Sequence, residues 1–183
     1  MSQDIRLWGV AIDDFKGGFL ITDYLLKKGY KNIAFLGKLN HISSAKARLE
    51  GYLKALKDNN RPINENLIFE ADFYQEDGYK ITKSLLKDYK GKFDSIFAAS
   101  DLMAIGCLKA LKEKNVVVPD EMAVVGFDNI EYSDLIYKPL TTVNTPIVSL
   151  ARKATEKLLD LIDGKSVAKS DILDIDIIVR ESA

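Results

Sequence analysis

Short apolar runs of strand length alternate with stretches whose apolar residues recur at helical spacing. Leu7–Ile12 predicts a strand, and Phe15–Lys28 a helix with Phe19, Leu20, Leu25 and Leu26 inward, ended by Gly29. Asn32–Gly37 predicts a strand, Ser44–Asp58 a helix, Leu67–Glu70 a short strand, and Asp77–Asp88 a helix carrying Ile81, Leu85 and Leu86. Phe93–Ala99 is a further strand, Leu102–Lys114 a helix and Ala123–Phe127 a strand. After a long loop, Pro146 opens a helix reaching Ile162 and stopped by Gly164. Ile172–Val179 reads as one last strand, in which Asp174 and Asp176 alternate with Ile175 and Ile177. Strands alternating with helices predict parallel βαβ units, hence an α/β fold with a doubly wound, mostly parallel sheet flanked by helices. Ligands of such sheets bind beyond the carboxyl ends of the strands.

The length, 183 residues, allows one large or two small domains. A formal charge of −1 carries no basic footprint of a nucleic-acid binder, and nothing before Ile12 has room for a helix-turn-helix, so no DNA contact by this chain is expected. The lysines recur at helical spacing and read as solvated faces. Cys107 is the single cysteine, which excludes an internal disulfide and points to a reducing compartment. With no signal-peptide pattern and no membrane-length apolar run, a cytoplasmic location is expected. One histidine and one cysteine leave no zinc-ligand spacing. No phosphate-binding glycine motif or nucleophile elbow is present, and no cofactor is expected.

Asp13-Asp14-Phe15-Lys16-Gly17-Gly18 and Gly29–Gly37 resemble the Asp-Asn-x-x-Gly-Gly element and the Gly-His-x-x-Ile segment of the effector-binding domain of the LacI/GalR family of bacterial transcriptional regulators, and further motifs follow in the family's order. Arg48-Leu49-Glu50-Gly51-Tyr52 resembles Arg-x-x-Gly-Phe, and Ser100-Asp101-Leu102-Met103-Ala104-Ile105-Gly106 the Asn/Ser-Asp-x-x-Ala-x-Gly signature. Val118-Pro119-Asp120-Glu121, Gly126-Phe127-Asp128-Asn129 and Pro139-Leu140-Thr141-Thr142-Val143 complete the order. Each is weak alone; in this order they are specific.

The resemblance implies a two-lobed, periplasmic-binding-protein-like type I fold with effector between the lobes. This chain is expected to hold the second lobe, about 12–140 plus a returning strand 172–179. The helix 146–163 then belongs to a first lobe that is otherwise absent, as is the DNA-binding head, so the chain is expected to be a fragment. Ile147, Leu150, Ala151, Ala154, Leu158, Leu161 and Ile162 form an apolar stripe on that helix, which needs its own lobe, an exchanged copy or a dimer to cover it. The resemblance also implies a homodimer, with Leu102–Lys114 and the loop around Tyr137 as its surface, and operator DNA as a partner of the full-length protein alone.

Arg48 lies early in its helix, beyond the strand ending at Gly37, and the matching family arginine binds effector; otherwise it is a surface arginine pairing with Glu50 or a nearby acid. Asp128 ends a strand, where the matching aspartate accepts hydrogen bonds from ligand, or it caps a turn. Ser100 stands where sugar-responsive members often carry asparagine, and Asp101 is either a site residue or the N-cap of its helix. Phe73 occupies the place of an aromatic that stacks on a sugar or base, or it fills core. His41, Ile42 and Ser44 lie in an effector-contacting loop; an apolar Ile42 where purine-responsive members have arginine favours a sugar over a purine. Asp13 and Asp14 resemble a metal pair on paper and are expected to be loop and cap residues.

The resulting expectation is an effector-sensing module of a LacI/GalR-type regulator, with a sugar as effector, and not an enzyme. A periplasmic-type sugar-binding protein of a transport or chemotaxis system is the alternative, disfavoured by the Pro-Leu-Thr-Thr-Val run. A receiver domain needs a fuller acidic cluster than Asp13-Asp14, and an enzyme needs an acid–base constellation that is not apparent.

Overall fold

The computed structural model describes residues 8–38, 42–88 and 91–183. In chain order its elements are β1 (Gly9–Ile12), α1 (Asp14–Lys27), β2 (Ile33–Gly37), α2 (Ser43–Asp58), β3 (Ile68–Glu70), α3 (Gln75–Asp88), β4 (Ser95–Ala98), α4 (Asp101–Glu113), β5 (Ala123–Asp128), β6 (Thr141–Asn144), α5 (Ile147–Ile162), β7 (Ser170–Leu173) and β8 (Asp176–Ile178). The chain divides into two compact units, Asp14–Asn144 with Asp176–Ala183, and Met1–Asp13 with Thr145–Ile175.

The larger unit is built on a six-stranded sheet in the order β3-β2-β4-β5-β6-β8, parallel except for the antiparallel β8. Every residue of β2 and β4 is buried. Their continuous apolar runs suit strands covered on both faces. Helices α1 and α2 pack together, as do α3 and α4. From β2 the chain steps outward to β3 and then back past β2 to β4, so the topological switch point lies between β2 and β4. The helices that follow these two strands, α2 and α4, therefore start at the crevice. Gly18 of α1 lies directly on the backbone of Arg48 in α2, so close that a Cβ at Gly18 has no room beside that carbonyl.

Three expectations change. The buried face of α1 is Gly17, Gly18, Ile21, Thr22 and Leu25, with Phe19, Leu20 and Leu26 only half-buried, because the close approach of α2 rotates the small residues inward. The segment after β5 is not all loop: Thr141–Asn144 is β6, fully in the sheet. The expected single strand 172–179 is two, β7 and β8, in different units.

In the smaller unit β1 pairs in parallel with β7, from Gly9 opposite Ser170 to Ile12 opposite Leu173. The buried ammonium of Lys157 on α5 donates to the Gly9 carbonyl (3.1 Å) and pairs with Asp171 (2.6 Å), which ties the helix to both strands. Ala154, Leu158 and Leu161 face Trp8, Gly9 and Val10. Ile147, Val148 and Ile162, by contrast, remain exposed.

Candidate functional site

Arg48 enters from the second turn of α2 and is 8% exposed. Its guanidinium carbon lies over the Phe127 ring, 3.6 Å from the centroid. Nε–H donates to Asp14 Oδ1 (2.8 Å), one NH1 hydrogen to the Ala99 carbonyl (2.6 Å), and NH2 reaches Asp128 Oδ1 at 3.4 Å. The fork is thus fixed by elements far apart in sequence. A guanidinium has five N–H groups, so two remain for a ligand. Fixing the head before ligand arrives lowers the ordering cost of binding.

Asp128 is the last residue of β5, on the strand end facing the switch point. Burial pushes its carboxyl up to about 6; neighbouring Asp101 and Asp14 add to that rise, and the Arg48 charge opposes it. Asp128 and Asn129 both have positive φ, 115° and 54°. Two successive non-glycine residues in this region are strained backbone, and strain of this kind concentrates at functional sites.

Arg48 and Asp128 line a cavity of about 280 Å³ with Ser44, Phe73, Ser100, Leu102 and Ile130. Four sequence-derived candidates therefore join Arg48: Asp128, Phe73, Ser100 and Ser44. The Ser100 hydroxyl accepts from the Met103 amide (3.3 Å) and donates to the Phe73 carbonyl (3.4 Å), so it anchors the Phe73 loop. Ser100, not Asp101, is the N-cap of α4. Ile42 precedes α2 and is not among the lining residues. His41 lies outside the described residues.

Asp101 faces away from the cavity. It is fully buried and accepts from the Ile130 amide (2.9 Å) and from the hydroxyls of Ser133 (2.6 Å) and Thr142 (2.5 Å). Burial raises its carboxyl, and the Ser133 and Thr142 hydrogen bonds oppose that rise. Asp14, expected to be a cap, is instead the partner of Arg48. Leu102 and Ile130, two apolar walls, carried no signal beyond being next to Asp101 and just after Asp128. Among the described residues, no group of three or more His, Cys, Asp or Glu is placed to hold a metal ion. A larger hollow of about 560 Å³ lies among Lys83, Leu86, Lys87, Lys114 and Val116. It sits at the C-terminal ends of α3 and α4, opposite the crevice, and none of the sequence-derived site residues lines it.

The chain matches a family model described as a periplasmic binding protein-like domain over residues 22–183. It is 36% identical over 179 residues to the HTH-type transcriptional repressor PurR of Haemophilus influenzae, covering 94% of this chain and 53% of that protein. The chain spans about half the length of the curated relatives it matches. Among solved structures it is similar to the transcriptional regulator CelR in complex with cellobiose, with TM-score 0.91, 31% identity, and coverage of 99% of this chain and 55% of that one. It is likewise similar to a LacI-family regulator from Enterococcus faecium with bound ribose, with TM-score 0.89, 29% identity, and coverage of 99% and 67%. Among the described residues, no helix is long and apolar enough to cross a membrane. The chain belongs to the periplasmic binding protein-like domain family, among relatives that are LacI-type transcriptional regulators.

Proposed function

We propose that this chain carries the effector-binding second lobe of a LacI-type transcriptional regulator, acting in the cytoplasm as a sensor and not a catalyst. The observation that supports this best is Arg48, held over Phe127 between Asp14 and Asp128 at the switch point, with donors left over for ligand. In this reading α5 and the β1–β7 pair belong to the first lobe, and effector bound between the lobes favours one arrangement of a dimer that positions DNA-binding heads. Exposed Tyr132, Leu135 and Tyr137, from the segment between β5 and β6, supply apolar area suited to a second copy.

We favour a sugar as effector. Arg48 and Asp128 offer donors and an acceptor to adjacent hydroxyls, and the Phe73 ring supplies an apolar wall. The related CelR and Enterococcus faecium structures hold cellobiose and ribose, respectively. A thermal-shift screen of the two-lobed regulator against cellobiose, ribose, other sugars and purine bases tests the choice. A sugar is expected to raise the melting temperature and Asp128→Ala to remove the effect. A clear shift from a purine with none from any sugar overturns the ligand class, and an unchanged response in Asp128→Ala overturns the site.

The raised Asp128 carboxyl adds a pH signature with two opposite signs. Ligand hydroxyls need the ionised acceptor, so affinity is expected to fall about tenfold from pH 6.5 to pH 5. In the absence of ligand, folding favours the protonated form relative to the unfolded chain, because the folded value of about 6 lies above the ordinary carboxylate value. This group's contribution to stability is full below that ordinary value and is lost as pH rises through 6. Asp128→Asn should flatten both profiles. Isothermal titrations and melts at several pH values check it, and an affinity independent of pH over this window refutes it.

A further inference from the structure

The strain at Asp128–Asn129 must be held by something outside the cavity, and the contacts show what. On one side, Asp101 fixes the residue after the turn through the Ile130 amide (2.9 Å). On the other, the Arg180 guanidinium donates through NH2 to Asn129 Oδ1 (2.8 Å) and through NH1 to the Leu140 carbonyl (2.8 Å). Arg180 is itself seated against β6, where its amide donates to Thr141 Oγ1 (2.9 Å) and its carbonyl accepts from the same hydroxyl (3.2 Å). The Asn129 amide group completes the clamp by donating to Asn144 Oδ1 (3.0 Å), and Asn144 in turn donates to Asp176 (3.0 Å). None of Arg180, Asn129 and Asn144 lines the cavity.

We infer that Arg180 is a positioning residue for the effector site: acting through Asn129, it holds the left-handed turn that keeps the Asp128 carboxyl beside Arg48. A charged fork is suited to the task, because one planar head bonds the loop and the sheet at once. Without it the turn relaxes toward ordinary backbone, as strained dihedrals persist only where their surroundings over-determine them. The Asp128 carboxyl then leaves Arg48 for solvent. The consequence for effector rests on the sensor reading above, whereas the test reads the carboxyl itself and needs no effector.

The experiment is a carbon-13 NMR titration of the Asp128 side chain in this 183-residue chain, with a thermal melt of each variant alongside. In the parent sequence the midpoint is expected at about 6. In Arg180→Met it should drop to about 4, the ordinary value of a solvated aspartate. Asn129→Gly removes the amide without adding left-handed strain of its own and should cause the same drop. The double variant should fall no further than either single one, because both cut a single path. Arg180→Lys, which keeps one charged donor, should recover part of the shift. A midpoint unmoved in Arg180→Met overturns the inference, and so do additive effects in the double variant. Should Arg180→Met fail to fold, Asn129→Gly alone decides: a midpoint still near 6 sinks the proposal.

Discussion

Replacing Arg48 with methionine is expected to weaken effector binding by the two-lobed regulator at least about 100-fold. Hydrogen bonds to charged groups contribute about 1.5–3 kcal/mol each, and the variant removes both N–H groups left for ligand. Methionine keeps an apolar stem over Phe127, so the loss is confined to the fork. A second cost follows inside the protein. Asp14 and Asp128 lose their shared cation, and two partly buried carboxylates then face one another across the empty place. The melting temperature should fall at pH 7 and recover toward pH 5, where protonation of Asp128 relieves the repulsion. Lysine does not substitute, since one ammonium cannot meet Asp14, the Ala99 carbonyl, Asp128 and a ligand together. Isothermal titration with whichever sugar gives the thermal shift, run on Arg48→Met and Arg48→Lys, measures this. Affinity within about threefold of the parent in Arg48→Met excludes Arg48 as an effector ligand.

The alternation of apolar runs was enough to predict the α/β class and most elements, because parallel strands buried on both faces leave continuous apolar runs. β6 escaped that logic. Its Thr141 and Thr142 are completely buried, and what makes burial tolerable lies far away: Thr142 bonds Asp101, and Thr141 bonds Arg180 and Ser182. A polar residue satisfied by partners some forty positions distant looks like loop in a local window. The β7–β8 split escaped for a similar reason, since one alternating run serves two different sheets.

At the candidate site, Arg48 and Asp128 could be placed near the crevice because strand ends and early helical turns converge on a switch point, but it was the resemblance to family motifs that singled them out. Asp14 was not legible. Beside Gly17 it looks like a cap, and its partnership with Arg48 spans 34 positions. Asp101 was legible as a residue that matters, but the direction of its side chain was not. It turns inward because Gly126 leaves the space for its carboxylate: any Cβ at Gly126 would collide with Asp101 Oδ1. Arg180 gave no signal at all, since its role exists only once the Asp128 turn is strained.

Gly18→Ala is expected to be the most damaging small substitution, lowering stability by about 3 kcal/mol, the upper part of the usual overpacking range. The added methyl meets the carbonyl, C and Cα of Arg48, all backbone, so no side-chain rotation relieves the clash. The helices must part, and the parting acts where the site is anchored. Asp14 opens α1 one turn before Gly18, while Arg48 is the very residue whose backbone is pushed. The 2.8 Å bond between Asp14 and Arg48 spans that same gap, so a displacement of even half an ångström is felt by the guanidinium. For a protein of this size the melting temperature should drop by about 6–12 °C, with effector affinity reduced even at temperatures where the variant is fully folded. Gly9→Ala is the control, because a Cβ there meets nothing within 4 Å and the melting temperature should not fall. A Gly18→Ala melt within about 1 °C of the parent would show that α1 and α2 are not packed backbone to backbone at Arg48.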